Sequence, residues 1–212
     1  YKPRNRGIKI MATRPVLQFK ITLQGIEPTV WRRIQISDLC NFWDLHVAIQ
    51  DSMGWFDCHL HEFEVNHSIE KGKESLGIPD DDYFIGDIET LPSWEYKVRD
   101  YLIINQQFTY EYDFGDCWMH LIEYEGAKEK EAGKKYPLCL DGARACPPED
   151  VGGIYGYEDF IETITNPDHP DHQALIEWSG GNYNPNIFDV KKVKFDNPKK
   201  RWDQTFKNSM AL

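Results

Sequence analysis

The sequence predicts an α+β fold, in which a single domain joins a mostly antiparallel sheet with one β-hairpin to several packed helices. Apolar residues alternate with polar ones in the first strand-like segment, as they do on a half-buried sheet. Two aromatic-rich runs flank a short turn near the middle of the chain. Two helical segments follow in the last third. A length of 212 residues fits one domain with elaborations.

Two strands and a helix are predicted first. Apolar side chains occupy every second position in residues 16–24, and residues 30–36 form the next strand-like run. The Ser-Asp pair at 37–38 predicts a helix N-cap, and apolar residues at helical spacing continue through residues 39–53. Gly54 predicts the helix end, because glycine readily adopts the left-handed conformation found there.

The next stretch predicts a strand, a long region of loops and a short helix. Residues 61–65 alternate like a strand. Several Gly and Pro residues interrupt residues 66–97, which predicts loops. Residues 100–105 predict a short helix that leads into the hairpin.

A β-hairpin is the clearest local prediction. Residues 107–112 and 117–124 are rich in Tyr, Phe, Trp and Ile, which suit a pleated sheet. Residues 113–116 form the turn, in which Gly115 is expected to supply a positive φ and aspartates to accept backbone hydrogen bonds. The charged residues 125–135 predict an exposed loop.

The C-terminal third predicts two helices and a last strand. Residues 137–153 are irregular by composition, and helices are expected at 157–165 and 170–179. Residues 190–195 predict the last strand, and an amphipathic tail begins at Pro198.

Charge divides the chain into two unequal parts. The net charge is −11, and residues 1–14 contain five basic residues and no acid, so the rest of the chain carries −16. We expect residues 1–14 to be a basic arm, either disordered or added ahead of a native start at Met11, and residues 15–212 to be the domain. Because an acidic body repels polyanions, nucleic acid is not an expected partner.

A membrane span is excluded by the pattern of apolar residues. The longest uninterrupted apolar run is only four residues, at 101–104, whereas a spanning helix needs about 20. Five cysteines, an odd number in a chain of this length, predict free thiols rather than a disulfide framework. These features predict a cytoplasmic protein with no membrane partner.

Few residues have a spacing that predicts chemistry. His59 and His61 lie two apart, so on a strand their imidazoles would share one face, and His120 or Cys117 could complete a metal site there. Neither CxxC nor HExxH occurs in the chain, and no nucleophile motif is present. We therefore predict no catalytic residue, no cofactor and no bound metal.

Three segments together resemble a known family. They are PTVWRRI at 28–34 with MGW and HLHEF at 53–63; YEYDFGDCWMH at 110–120; and LDGARACPPEDVGG at 140–153. Their order and spacing are similar to the plasmid pRiA ORF-three-like family, the third open reading frame of the Ri plasmid. The resemblance extends from about residue 15 to residue 195. It implies a single α+β domain of bacteria and archaea without an established activity.

The function predicted from these residues is a binding or interaction module for a protein or a small molecule. Its polar and aromatic side chains would line one concave surface, because Arg and Trp are favoured at recognition sites. In the alternative interpretation, the same residues form a buried polar network that holds the fold. The candidates are Trp31, Arg32, His59, His61, Asp113, Asp116, Trp118, His120, Glu149 and Asp150.

Two other functions remain open at this point. One is a metal-dependent, hydrolase-like enzyme that uses His59, His61 and His120, with Asp113 or Asp116 as a ligand or base. The other is a nucleic-acid accessory protein of mobile elements, which depends on the family context and the basic arm.

Overall fold

An eight-stranded sheet forms the centre of the molecule, with the strand order β5-β4-β3-β6-β7-β1-β2-β8. In this computed structural model, the described residues are 14–68, 72–79, 89–103 and 106–207. Neighbouring strands are antiparallel except β4 and β5, which are parallel. The strands are β1 Val16–Leu23, β2 Trp31–Ser37, β3 His61–Ser68, β4 Gly72–Gly77, β5 Thr90–Pro92, β6 Gln107–Tyr112, β7 Trp118–Lys128 and β8 Leu138–Ala143.

Helices pack around this sheet and complete one α+β domain, as predicted. A 3-10 turn follows the fourth helix, and a π-helical turn, Asp203–Lys207, follows the fifth. Among the described residues, no helix combines the length and apolar composition that crossing a bilayer requires. The helices are α1 Phe42–Met53, α2 Val98–Tyr101, α3 Gly153–Thr165, α4 His172–Trp178 and α5 Pro198–Trp202.

The core lies between the sheet and α1, and its pattern follows the sequence. Phe19 and Ile21 of β1 are completely buried, whereas Lys20 between them is partly exposed, which confirms the predicted alternation. Phe42 of α1 packs against Phe63 of β3, with ring centroids 5.2 Å apart. This packing buries apolar surface worth about 25 cal/mol per Å².

Helix α1 begins later than the sequence predicts. Its N-cap is Asn41, whose side chain accepts a hydrogen bond from the Asp44 N–H while the Asp44 carboxylate accepts one from the Asn41 N–H. Ser37 is instead the last residue of β2, so the prediction of a cap at 37–38 is wrong: the chain must first turn away from the sheet. Gly54 ends the helix at φ 96°, as predicted.

Both faces of α1 are covered, because the C-terminal segment packs on the side away from the sheet. Trp43 donates a hydrogen bond from its indole nitrogen to the Pro198 carbonyl, and its ring lies 5.4 Å from that of Trp202. Arg201 contacts the carboxylate of Asp51 at 2.6 Å. The C-terminal segment is therefore packed against α1, although no residue of α5 is itself buried.

The predicted hairpin is confirmed as β6 and β7, but its turn differs in detail. Asp113 and Cys117 adopt positive φ, at 58° and 53°, whereas Gly115 does not. An aspartate tolerates this conformation better than most residues because its side chain bonds to the nearby backbone. The Asp113 Oδ1 atom accepts hydrogen bonds from the Gly115 and Asp116 N–H groups, so the predicted capping of the turn is confirmed.

Four predictions are wrong in part or in whole. Residues 125–128, predicted as the start of an exposed loop, belong to β7. The region 66–97 contains β4 and β5, since Gly72 and Gly77 mark the ends of a paired strand rather than a loop. The region 137–153 contains β8, which pairs with β2 through a bulge. At 190–195 the chain forms a 3-10 turn instead of a strand, because the Asp189 side chain accepts the Lys191 N–H.

The C-terminal helices and the cysteines agree with the sequence, whereas most of the basic arm lies outside the described residues. Helices α3 and α4 lie where the two C-terminal helices were predicted. All five cysteines are free thiols, as predicted. Residues 1–13 of the predicted basic arm lie outside the described residues, and Arg14 forms an ion pair with Asp38 at 3.6 Å.

Candidate functional site

Three distant parts of the chain each contribute one side chain to the same corner of the domain. His59 precedes β3, Asp113 begins the β6–β7 turn, and Asp150 lies in the loop after β8. The His59 Nε2 atom is 3.0 Å from Asp150 Oδ1 and 3.5 Å from Asp113 Oδ2. We call these three residues the His–Asp–Asp corner. Each of the three segments that carry the family resemblance supplies one of them.

The hairpin turn fixes the position of Asp113. Its N–H donates to the Leu60 carbonyl at 3.0 Å, and its Oδ1 atom accepts from Gly115 at 3.0 Å and from Asp116 at 3.3 Å. The residue is only 7% exposed. Because the turn amides bind Oδ1, the carboxylate is held with Oδ2 towards His59.

The loop that carries Asp150 is attached to the same turn. The Gly152 N–H donates to the Asp116 Oδ2 atom at 3.1 Å. A Cβ atom at Gly153 would lie 2.6 Å from the Asp116 carbonyl oxygen, closer than real contacts allow. Glycine at this position therefore permits the close approach of the loop to the hairpin turn.

Glu149 joins the third segment to the corner. Its Oε1 atom accepts the Phe56 N–H at 2.7 Å and the Tyr112 hydroxyl at 3.1 Å, and the Tyr112 oxygen accepts the Cys58 N–H at 3.0 Å. Burial raises the pKa of Glu149 and also that of Tyr112. These bonds hold the segment before His59 against the loop after β8.

The corner is acidic and contains a single imidazole. Asp113, Asp116, Glu149 and Asp150 supply four carboxylates around His59. Within the described ranges, none of these four carboxylates forms an ion pair with Lys or Arg. The electrostatic potential here therefore favours a cation.

A cleft of about 460 Å³ adjoins the corner and shares Asp150 with it. Its lining is mainly apolar and aromatic, and the exposed rings of Phe56 (79%) and Trp178 (50%) stand at its edge. A second cleft, of about 430 Å³ between α3 and α4, also shares Asp150 and Trp178. The lining of the first cleft comprises residues 53–56, 146–150 and 178–180 together with Tyr183.

His61 does not converge with His59, contrary to the expectation from their spacing. His59 lies before the first residue of β3, so strand alternation does not extend to it. The His61 ring is completely buried and stacks on the ring of His46, with centroids 3.5 Å apart. Burial lowers the pKa of His61 well below its ordinary value.

His120 and Trp118 are also buried in the interior of the sheet. Burial lowers the pKa of His120 from 6.5 to about 4, so the ring is neutral at physiological pH. Its Nδ1 atom is 3.3 Å from the Tyr110 carbonyl oxygen. A metal site or catalytic site that joins His59, His61 and His120 is therefore absent from this structure.

Trp31 and Arg32 of β2 lie away from the corner. Arg32 is 1% exposed, and its guanidinium donates to the carbonyls of Ser52 and Ala143 and lies 3.8 Å from the Phe188 ring centroid. Burial lowers its pKa, although the Cys146 and Cys139 thiols oppose that shift. Trp31 is partly exposed, with its ring near Lys20 and Arg33.

The ten candidates therefore do not share one surface, and the expectation of a common concave lining is corrected. Five of them meet at the corner because hydrogen bonds between loops bring three segments together. The other five lie on the buried or distant parts of strands. The first group is His59, Asp113, Asp116, Glu149 and Asp150; the second is Trp31, Arg32, His61, Trp118 and His120.

Sequence reasoning missed the aromatic part of the site. Phe56 and Trp178 were not among the candidates, although Phe56 follows the predicted helix end at Gly54 and Trp178 precedes the Gly180-Gly181 pair. Large aromatic residues directly beside a helix end were the available signal. Tyr112, which the sequence places at the end of the first hairpin strand, also hydrogen-bonds to Glu149.

The described residues include one group with the composition and spacing of a metal site. His59, Asp113 and Asp150 each offer one ligand atom, and these atoms all lie within 4.8 Å of one another.

Comparisons with known proteins agree with the fold. The family model described as plasmid pRiA4b ORF-3-like protein matches residues 15–192. Uncharacterized protein y4hQ of Sinorhizobium fredii (strain NBRC 101917 / NGR234) is 36% identical over 166 residues, which cover 78% of this chain and 81% of that protein. The crystal structure of the protein of unknown function MM3350 from Methanosarcina mazei Go1 has a TM-score of 0.78 and 36% identity. The structural match covers 86% of this chain and 99% of the MM3350 chain.

Proposed function

The chain belongs to the plasmid pRiA4b ORF-3-like family, and we propose that it is a binding module whose small-molecule ligand lies in the cleft beside the His–Asp–Asp corner. The observation that carries this proposal is the position of Asp150, which is shared by the corner and the cleft. The relatives are described as uncharacterized or of unknown function, and their descriptions name no catalytic role.

The size of the cleft favours a small molecule. Ligand pockets typically have volumes of about 300 to 1,000 Å³ and are mostly apolar with a few polar groups. The cleft has about 460 Å³, with apolar walls from Met53, Trp55 and Pro147 and two carboxylates at one end. A ligand with an apolar or aromatic body and one polar end group fits this lining.

Exposed aromatic rings support the same interpretation. Phe56 is 79% exposed and Trp178 is 50% exposed, although both are large apolar residues that a fold usually buries. They stand at the edge of one cleft rather than scattered over the surface. A flat ligand body that covers them would remove apolar area from water, which is favourable by about 25 cal/mol per Å².

The enzyme and nucleic-acid alternatives have less support. His61 and His120 are completely buried, so a substrate has no access to them. The corner itself is acidic, which disfavours contact with phosphate groups.

The test is a screen of small aromatic fragments by nuclear magnetic resonance, with the indole N–H signals of Trp178 and Trp55 as readout. We expect fragments to shift these two signals and to leave that of Trp94 unchanged, because Trp94 packs on Trp202 away from the cleft. In the Trp178→Ala variant, which lacks the Trp178 signal, the same fragments should no longer shift the Trp55 signal. Tyr155→Ala is the matched control, since Tyr155 is 81% exposed and outside the cleft lining.

Two results would contradict this proposal. One is a screen in which no fragment shifts Trp178 or Trp55. The other is a Trp178→Ala variant that retains its fold by circular dichroism and still binds the fragments as the wild type does.

A further inference from the structure

We infer that His59, Asp113 and Asp150 bind a divalent transition-metal ion. Metal–nitrogen and metal–oxygen bonds in such sites are about 2.0 to 2.2 Å long, which places neighbouring ligand atoms about 3 to 3.5 Å apart. The His59 Nε2 atom lies 3.0 Å from Asp150 Oδ1 and 3.5 Å from Asp113 Oδ2. Both distances from His59 thus match those around one ion, and all three ligand atoms lie within 4.8 Å of one another.

One nitrogen of the His59 ring is placed as a metal ligand would be. Its Nε2 atom is buried and makes no hydrogen bond to any described residue, although two carboxylate oxygens are close. The distance to Asp150 is short enough for a hydrogen bond, so it is the angle that fails. A nitrogen that faces two oxygens in this way is suited to share a cation with them.

The hairpin turn prepares Asp113 to be a ligand. Both turn amides donate to Oδ1, from Gly115 and Asp116, so the turn hydrogen bonds leave Oδ2 towards His59. Hydrogen bonds that fix a ligating carboxylate from behind are the usual outer support of a metal site. At 7% exposure, Asp113 is also too buried for water to screen its charge fully.

The charge of the corner favours a bound cation. Asp113 and Asp150 together carry two negative charges when ionised, and Glu149 and Asp116 face the same region. A protonated His59 would neutralise only one of these charges. A divalent cation would neutralise two while a neutral imidazole acts as its ligand.

The ligand atoms define the class of metal. One imidazole nitrogen and two carboxylate oxygens suit Mn²⁺, Fe²⁺ or Zn²⁺, whereas Cu⁺ prefers sulfur and Ca²⁺ prefers six to eight oxygens. Three protein ligands leave positions for water or for a ligand. Because Asp150 also lines the cleft, the ion would lie at the edge of that cleft. If the proposed cleft ligand exists, the bound ion would select an anionic oxygen at its polar end.

The test is a titration of chelator-treated, full-length protein with Mn²⁺, followed by electron paramagnetic resonance of the free ion. Mn²⁺ is the probe because it prefers oxygen and imidazole ligands to the exposed Cys58 and Cys117 thiols. We expect one ion per chain, with the amide signals of Gly115 and Asp116 broadened in nuclear magnetic resonance spectra. The site itself does not depend on the cleft ligand.

Two variants and one control test the assignment. Asp113→Asn retains an oxygen that can accept from the turn amides, and His59→Gln retains a polar side chain; each should weaken Mn²⁺ binding by about 100-fold or more. His169→Gln is the matched control, because His169 also lies close to acidic residues, in the α3–α4 loop. It should bind Mn²⁺ as the wild type does.

The inference is overturned if the wild type binds no Mn²⁺ up to about 1 mM, or if both corner variants bind it with unchanged affinity while circular dichroism shows them folded. The proposed binding function can be rejected independently of the metal site. Trp178→Ala should remove fragment binding and leave Mn²⁺ binding intact, so Mn²⁺ binding without any fragment binding would retain the metal site and reject the cleft ligand.

Discussion

Two histidines in the same short segment, His59 and His61, have opposite environments. His59 is partly exposed and faces two carboxylates at the surface of the domain. His61 is completely buried, and its ring stacks on that of His46. The comparison shows that the residue type does not decide the chemistry: the same imidazole is a candidate ligand at a loop and a neutral part of the core within a strand.

The buried region around His61 is organised by a chain of hydrogen bonds. The Gln50 amide donates to the Tyr110 hydroxyl at 2.9 Å, and that hydroxyl lies 2.8 Å from His46 Nδ1. His46 Nε2 is 2.8 Å from Asp57 Oδ1. Because a carboxylate only accepts, the Nε2 atom of His46 carries a proton and donates it to Asp57. This network links α1 to the central strand β6 within the core.

Asp57 at the outer end of the network remains ionised. Burial by itself raises the pKa of Asp57, but the charges and hydrogen bonds of His46 and Arg201 outweigh it, and the net pKa is lowered. The buried region is thus anchored to the C-terminal helix α5 through an ion pair of 3.7 Å between Arg201 and Asp57.

The largest expected effect concerns the buried histidines: the free energy of unfolding should fall in acid. The pKa of His120 is 6.5 in the unfolded chain and about 4 in the folded one, so between these values the unfolded state binds more protons. The contribution of His120 to the free energy of unfolding is therefore complete above pH 6.5. It decreases as the pH falls and is about 3 kcal/mol smaller at pH 4. Urea denaturation from pH 7 to pH 4 measures it.

The variant that isolates this effect is His120→Gln, whose stability should depend less on pH than that of the wild type. His169→Gln, which changes a histidine outside the core, should retain the wild-type pH dependence. Parallel curves for the wild type and His120→Gln would show that the buried histidine does not govern the acid response.

A smaller effect is expected when the buried network loses its central hydroxyl. Tyr110→Phe leaves His46 Nδ1 and Gln50 Nε2 without their common partner, which should lower the free energy of unfolding by about 2 kcal/mol. Tyr124→Phe on β7 is the control, since its hydroxyl is not part of the network. If Tyr110→Phe changes the free energy of unfolding by less than about 0.5 kcal/mol in urea denaturation, the network does not stabilise the fold.

The smallest effect is expected at the corner. Asp150 is largely exposed, at φ 57°, a conformation that asparagine also tolerates. Asp150→Asn should therefore change the free energy of unfolding by less than about 0.5 kcal/mol. A loss above about 1 kcal/mol in the same denaturation experiment would show that the corner, like the interior, is retained for stability.

The sequence predicted local patterns better than contacts between segments. The hairpin at β6 and β7 follows from alternating aromatics around an aspartate-rich turn, and the end of α1 follows from Gly54. The cap at Asn41 and the strand β8 were missed because a polar residue near a strand end fits several structures. Only the tertiary pairing with β2 distinguishes β8 from a loop.

The same difference between local patterns and contacts explains why only part of the candidate site could be predicted. The charged members Asp113 and Asp150 were recognisable as turn and loop acids, but their meeting with His59 depends on backbone bonds between loops. The burial of His61 depends on where β3 begins, because a shift of one residue would turn its side chain to the other face of the sheet.

The Glu149 side chain joins residues that are 93 positions apart, through its hydrogen bond to Phe56. An unfolded chain cannot hold these two segments together, so a molecule that needs the assembled corner binds the native state preferentially. Occupancy should therefore raise the melting temperature of the entire domain in proportion to the logarithm of ligand concentration, and a simple thermal shift can search for binders without a functional assay.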